Sequence, residues 1–190
     1  MAAKKPEKSR RQLAIVALAF FGPLALATWM YMSGQLNPTA SSNNGALLDP
    51  VLSLEEVLPA SPLLALVDSQ WLLLYAHDGD CAAACGEALY RLHQTRLMLG
   101  SEMDRVGRVF LHGQSAPDTV FPEGQHPGLK TISDKGLANL LEDKRPKQLM
   151  PGGIYLIDPL ANLVMYFPPD LDPRDMVDDL KHLLKLSRIG

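Results

Sequence analysis

The chain has 190 residues, of which 47% are hydrophobic and 21% are charged. This length suits one ordinary domain with an appendage, and this composition excludes disordered, collagen-like and disulfide-dense chains. The net charge is -3, but the first twelve residues carry +4, so the remainder carries -7. Because phosphate binding depends on clustered lysine and arginine, the acidic remainder argues against nucleic acid as a partner.

The first apolar segment, Leu13–Met32, is long enough to cross a membrane, since about 20 residues span a hydrocarbon core of about 30 Å. The basic residues before it predict a cytoplasmic N-terminus in the inner (plasma) membrane and a periplasmic, extracytoplasmic C-terminal domain. The alternative is a cleavable signal peptide with Ala25-Leu26-Ala27 as its cleavage site. Apolar residues continue past that site to Met32, which favours a retained single-pass anchor.

These patterns divide the chain into four regions. We expect a cytoplasmic basic tail over residues 1–12, a transmembrane helix over 13–32, a flexible linker over 33–46 and a folded domain over 47–190. The linker is assigned because its residues are small, polar and turn-forming, without apolar periodicity.

Apolar patterns in the last region predict alternating strands and helices. We expect strands at Trp71–Tyr75, Val106–Leu111, Ile154–Ile157 and Leu163–Phe167, and helices at Ala82–Leu99, Ser133–Leu141 and Arg174–Leu186. The prolines and glycines of Gly113–Lys130 predict a long irregular segment. The order strand, helix, strand, helix, strand, strand, helix predicts an α/β fold, with helices on both sides of a thioredoxin-like mixed sheet.

The chain's two cysteines, Cys81 and Cys85, lie where the first buried strand meets its helix. Backbone N–H groups at a helix N-terminus lower a thiol pKa and so activate it. Residues four apart share a helix face, where two sulfurs can form a disulfide or bind one soft metal ion. The alternative is a purely structural disulfide, whose short loop would stabilise little. His77, four residues before Cys81, is a further candidate metal ligand or thiol-activating base, and His126 is another.

Three features together resemble the Sco/SenC family of thioredoxin-like, membrane-anchored copper proteins that assist cytochrome c oxidase assembly. They are the N-terminal anchor, the segment WLLLYAHDGDCAAAC with its C-x-x-x-C spacing, and IYLIDPLANLVMYF at residues 154–167. The resemblance covers roughly residues 60–187. It implies copper as the bound metal, and an oxidase subunit or another copper or thiol assembly protein as the partner.

The sequence departs from this family at the expected site. Ala82 and Gly86 follow the cysteines where the family usually has prolines, and Met150 stands where the family has a histidine as third copper ligand. The resemblance then implies a three-coordinate Cu(I) site made by Cys81, Cys85 and Met150, because a thioether is a soft ligand. Met150 as an ordinary packing residue is the alternative. Pro151 is expected as the cis-proline that thioredoxin-like folds place opposite the cysteine pair.

Three functions of different class remain open. The first is a Sco-like assembly factor that binds copper or reduces its client's thiols, with Cys81 as the attacking sulfur and Cys85 as the resolving sulfur. The second is a general thiol-disulfide oxidoreductase, which is disfavoured because C-x-x-C is the usual redox spacing. The third is a non-catalytic scaffold that retains the fold and holds assembly partners.

Overall fold

The computed structural model describes residues 7–33, 43–78, 81–112 and 126–187 of a chain with two compact units, Met1–Ser42 and Asn43–Gly190. The first unit contains helix α1, Glu7–Met32, which includes Pro23. Its segment Arg11–Met32 is long and apolar enough to cross a membrane, with a mean hydropathy of 2.0. The predicted apolar helix is therefore confirmed, while its orientation and its retention stay predictions.

The second unit is a six-stranded mixed sheet with helices on both faces. Its strands are β1 (Ala46–Ser53), β2 (Trp71–Ala76), β3 (Val106–His112), β4 (Leu129–Ser133), β5 (Ile154–Ile157) and β6 (Asn162–Phe167). Its helices are α2 (Leu54–Val57), α3 (Leu64–Val67), α4 (Ala83–Met98), α5 (Lys135–Lys144) and α6 (Pro173–Leu186). The strand order is β1-β6-β5-β2-β3-β4, with β2, β3 and β4 parallel and the other pairs antiparallel. The predicted thioredoxin-like α/β fold is confirmed.

Alternate side chains of β2 enter two separate cores. Leu73 and Tyr75 pack with residues of α4 and α6, on what we call the α4 face of the sheet. Leu72 and Leu74 pack with residues of α2, α3 and α5, on what we call the α5 face. Because both faces are covered, the strand is apolar at every position, which is the pattern that predicted it.

The sequence analysis did not predict β1 and β4, which lie at opposite edges of the sheet. The irregular segment expected over Gly113–Lys130 is wrong at its end, because Leu129 and Lys130 pair with β3, and its residues 113–125 lie outside the described residues. In β1, Pro50 follows a cis peptide bond, and the pairing with β6 shifts register across it. Proline has no backbone N–H to donate to a neighbouring strand, so within a sheet it is tolerated in an edge strand.

The start of the second unit is held by Asp179, a buried residue of α6. Its carboxylate accepts hydrogen bonds from the backbone N–H of Asn44 at 2.9 Å and of Gly45 at 2.8 Å, and from the Asn44 side-chain amide at 3.1 Å. Asn44 and Gly45, which the sequence analysis places in the flexible linker, are therefore bonded to α6.

Candidate functional site

The two cysteines form a disulfide at the start of helix α4. Cys81 precedes the helix and Cys85 lies in its first turn, with their Cα atoms 5.0 Å apart. Cys85 is 1% exposed and belongs to the core of the α4 face, whereas Cys81 is only partly buried. Cys81 is therefore the member of the pair that a second molecule can reach.

The N-cap residue of helix α4 differs from those of α5 and α6. Asp134 caps α5 by accepting from the N–H of Leu137, and Asp172 caps α6 by accepting from the N–H of Arg174. The corresponding residue of α4 is Ala82, whose side chain makes no such bond. The first-turn N–H groups carry the positive end of the helix dipole, which favours a thiolate at the cysteine pair.

A groove of about 290 Å³ runs along α4 from Ala84, which lies in the same first turn as Cys85. One wall is the stripe of α4 that contains Ala84, Glu87 and Ala88, and the other is formed by residues 151–154 and 167–169. Arg91 ties the two walls together, because its guanidinium donates to the carbonyl oxygens of Pro169 and Leu171. The groove can accept an extended segment of another chain next to the cysteines.

The turn before β5 is fixed against β6 by a tyrosine. The Tyr166 hydroxyl donates to the carbonyl oxygen of Met150 and accepts from the N–H of Gly153 at 2.9 Å. A Cβ at Gly153 would overlap the carbonyl oxygen of Phe167, so only glycine fits there. Burial raises the pKa of the Tyr166 phenol, which therefore stays protonated and able to donate at neutral pH.

The structure places Pro151 in the groove wall, across from α4, but the peptide bond before it is not cis. The expectation of a cis-proline at this position is therefore wrong. The reason is local, because Gly152 takes a positive φ of 82° and so supplies the turn that leads into β5. Met150, just before Pro151, is 50% exposed, so it is not a packing residue of the core.

Two histidines lie at the ends of the central strands on the α4 face. His77 follows β2 and stacks on Tyr75, with ring centroids 6.2 Å apart. His112 ends β3, is buried, and among the described residues its Nδ1 atom has no hydrogen-bond partner. His112 was not singled out from the sequence, although its position after the apolar residues 109–111 is a signal of burial. His126 does not face the cysteines but lies with His93 and Arg108, as described below.

The comparison with family models decides the family. Residues 71–187 match the model described as the transmembrane-like, thioredoxin-like, C-terminal domain. The chain belongs to this family. The match spans the cysteine pair, both walls of the groove and α6, so the site just described lies inside the family's domain. A search of curated proteins finds no match.

Solved structures share the family's thioredoxin-like fold. Arabidopsis thaliana ScoI with copper bound is 17% identical, covers 65% of this chain and 89% of its own, and has a TM-score of 0.51. Yeast Sco1 with copper bound is 18% identical, covers 65% of this chain and 81% of its own, and also has a TM-score of 0.51. The predicted resemblance to Sco proteins is confirmed for the fold.

Two of the residues implied as copper ligands are joined to each other in this structure. Within the described residues, no three His, Cys, Asp or Glu side chains are close enough together to hold a metal ion. Cys81 and Cys85 are bonded to each other, so neither has a thiolate to offer. The donor set fits copper only after the disulfide is reduced, when both sulfurs can become thiolate ligands.

Proposed function

We propose that the family member described here is a membrane-anchored thiol-disulfide exchange protein that acts on an exported client protein. The observation that carries this proposal is the asymmetry of the Cys81–Cys85 pair, in which one cysteine is reachable and the other is buried in the first turn of helix α4. Exchange needs an accessible sulfur for attack and a stabilised thiolate as leaving group.

The reduced protein would act first through Cys81. Its thiolate attacks one sulfur of a client disulfide, and the other client sulfur leaves as a thiolate. The thiolate of Cys85 then attacks Cys81 in the mixed disulfide, which forms the Cys81–Cys85 bond and releases the client as a dithiol. Two electrons pass from this protein to its client, and a dithiol donor must reduce Cys81–Cys85 again before the next cycle.

The client that we propose is a subunit of cytochrome c oxidase, or another copper or thiol assembly protein of the same compartment. A candidate membrane-spanning helix, a Sco-like fold and a redox cysteine pair support this role. Reduction of a client's cysteines would prepare them to accept copper, because thiolates bind copper and disulfides do not. In this proposal the N-terminus is cytoplasmic and the second unit is periplasmic, at the inner membrane.

Trapping of the mixed disulfide tests the exchange function. The full-length chain, reduced and in detergent micelles, is mixed with a peptide that contains one disulfide, and adducts are counted by mass spectrometry. Cys85→Ser should accumulate the adduct because the resolving thiol is gone, and Cys81→Ser should form about tenfold less because Cys85 is buried. Equal trapping by the two variants would contradict the assigned order of attack, and absence of adduct from both would exclude exchange.

A second candidate function is carriage of copper as cargo by the reduced protein. It is favoured by the 5.0 Å separation of the cysteine Cα atoms, which lets two thiolates share one Cu(I) ion. Met150, exposed on the turn beside the groove, is the proposed third ligand, and His77 is the alternative. Anaerobic competition with a chromophoric chelator should show one ion per chain that is lost in Cys81→Ser. Met150→Ala and His77→Ala then identify the third ligand by weaker binding.

A variant without either cysteine distinguishes the scaffold alternative from the other two functions. A Cys81→Ser, Cys85→Ser double variant removes both exchange and copper carriage while the fold is retained. Oxidase assembly that proceeds equally well in cells with this variant would leave only a scaffolding role.

A further inference from the structure

A buried arginine lies on the α4 face, away from the cysteine pair. Arg108, in the first half of β3, is 2% exposed, and no carboxylate in the described residues lies within ion-pair distance of it. Buried charges in proteins are normally paired, because removal of an ion from water is costly unless an opposite charge compensates. Arg108 is thus a buried cation without a counter-ion in the described part of the chain.

The hydrogen bonds of Arg108 go to neutral acceptors. Its Nη1 donates to Nδ1 of His93 at 2.9 Å, and its Nη2 donates to the carbonyl oxygen of Pro127. Its Nε is buried and has no hydrogen-bond partner among the described residues. The guanidinium is therefore a buried positive charge whose described partners are all neutral.

The bond to His93 orients that imidazole. A guanidinium can only donate hydrogen bonds, so Nδ1 of His93 must be the acceptor. The neutral ring then carries its proton on Nε2, and since His93 is half-buried, this N–H is available at the surface of the cluster. His93 therefore presents a donor to an incoming ligand, backed by the positive charge of Arg108.

His126 completes the cluster. It precedes the turn whose Pro127 carbonyl bonds Arg108, and like His93 it is half-buried. Burial, followed by the charge of Arg108, lowers the pKa of both imidazoles. Both rings are thus neutral at pH 7, because burial and the adjacent charge of Arg108 both disfavour the imidazolium.

We propose that Arg108, His93 and His126 form a binding site for a compact oxyanion, such as sulfate, phosphate or a carboxylate. The imidazole N–H of His93 donates to the oxyanion, and Arg108 behind it supplies the charge. Oxyanions suit this site because imidazole and guanidinium donors form their shortest and strongest hydrogen bonds with charged oxygens. The site is independent of the thiol chemistry proposed above, because it lies on the second half of α4 and uses no cysteine.

NMR of the histidines tests this site directly. The full-length chain in detergent micelles, with its five histidines labelled with ¹³C, is titrated with sodium sulfate, phosphate or acetate, and with sodium chloride at equal ionic strength as the control. The resonances of His93 and His126 should shift saturably with the oxyanions, and their pKa values should rise because a bound anion stabilises the imidazolium. The acetate arm separates a carboxylate site from one for tetrahedral oxyanions.

Variants sharpen the test. His93→Asn keeps an acceptor for Arg108 but lacks the outward imidazole N–H. The affinity of this variant for the oxyanion should fall about tenfold, as expected for the loss of one hydrogen bond to a charged group. His182→Asn, on α6, is the matched control and should bind as the wild type does. Arg108→Met should abolish binding, and His93→Asn serves alone if that variant does not fold. Two results would overturn the proposal. One is resonance shifts that follow ionic strength equally at all five histidines, and the other is an unchanged affinity of His93→Asn for the oxyanion.

The thiol function and the oxyanion site can be tested independently of each other. The Cys81→Ser, Cys85→Ser variant should bind the oxyanion with wild-type affinity, because neither cysteine contacts the cluster. His93→Asn should still trap the client peptide when combined with Cys85→Ser. A loss of oxyanion binding in the cysteine variant would contradict the independence of the two sites.

Discussion

The two faces of the central sheet differ in what they bury. The α4 face encloses Cys85, Arg108 and His112, and it borders the groove along α4. The α5 face is covered by helices whose buried residues are leucine and valine, such as Leu54, Val67 and Leu137. Among the described residues, buried nitrogen and sulfur groups able to carry out chemistry are thus concentrated on one side of the sheet.

This division separates stability from function. An apolar core gains free energy for each Å² removed from water and leaves no polar group to satisfy. A buried arginine or histidine costs free energy unless it has partners, so it is retained where it serves another purpose. Changes in the helices that cover the α5 face should therefore alter stability alone, whereas changes on the α4 face should alter stability and chemistry together.

The largest effect that we expect comes from Gly153→Ala, on the wall of the groove. The added Cβ would overlap the carbonyl oxygen of Phe167 and the ring of Tyr166, so the turn before β5 must move. We expect a loss of about 4 kcal/mol in the free energy of unfolding, near the upper end for point mutations, and reduced client trapping. Urea denaturation and the trapping assay measure the two effects.

Gly152→Ala is the control for this prediction. Nothing lies within 4 Å of a Cβ at Gly152, so the substitution introduces only backbone strain from its positive φ. Its cost should be about 1 kcal/mol. A Gly153→Ala variant as stable as Gly152→Ala would show that the turn yields without cost.

On the α5 face we expect Leu137→Ala to reduce stability without an effect on chemistry. Leu137 lies on α5 and is fully buried, so its truncation leaves a cavity and should cost about 3 kcal/mol. Leu160→Ala, at a residue that is 63% exposed, should be close to neutral. Denaturation gives the free energies, and trapping rates should equal that of the wild type under conditions where the variant is folded. A changed trapping rate would break the separation of the two faces.

The central part of the fold was predictable from sequence because its signals are local. Strand β2 is buried on both sides and so appears as a continuous apolar run, β3 is apolar over residues 109–111, and Asp172-Pro173 marks the start of α6. The edge strands gave no such signal, because β1 is interrupted by Pro50 and β4 has five residues that are at most half-buried. Their place in the sheet depends on long-range pairing, which periodicity does not report.

The candidate site was predictable only in part. The position of Cys81 and Cys85 follows from the junction between a strand and a helix, and their disulfide agrees with an extracytoplasmic location. The groove joins α4 to residues near 151 and 168, so no local pattern could show it. Arg108 was missed for a similar reason, since one charged residue in a strand normally faces solvent, and here the side chain runs under α4.

A smaller effect is expected from Asp179→Asn, on α6. Replacement of the carboxylate by an amide removes its charge and one acceptor from the N–H groups of Asn44 and Gly45, which should cost about 2 kcal/mol. Asp178→Asn changes the adjacent, exposed residue in the same way and should be close to neutral. Amide hydrogen exchange at Asn44 and Gly45 should accelerate only in Asp179→Asn. Equal exchange in both variants would show that Asp179 does not hold the start of the second unit.

The smallest effect is a pH dependence that arises at the Arg108 cluster. The pKa values of His93 and His126 are lowered in the folded chain, first by burial and then by the charge of Arg108, from an ordinary value of about 6.5. The unfolded chain therefore binds more protons below about pH 6.5, so the stabilisation is complete above that pH and is lost as the pH falls toward the folded-state pKa values. Denaturation from pH 7.5 to 5 in chloride should show this decline. This decline should be shallower in His93→Asn than in the wild type, and it should equal that of the wild type in Gln94→Asn. A decline that is as steep in His93→Asn as in the wild type would assign the pH dependence to other groups.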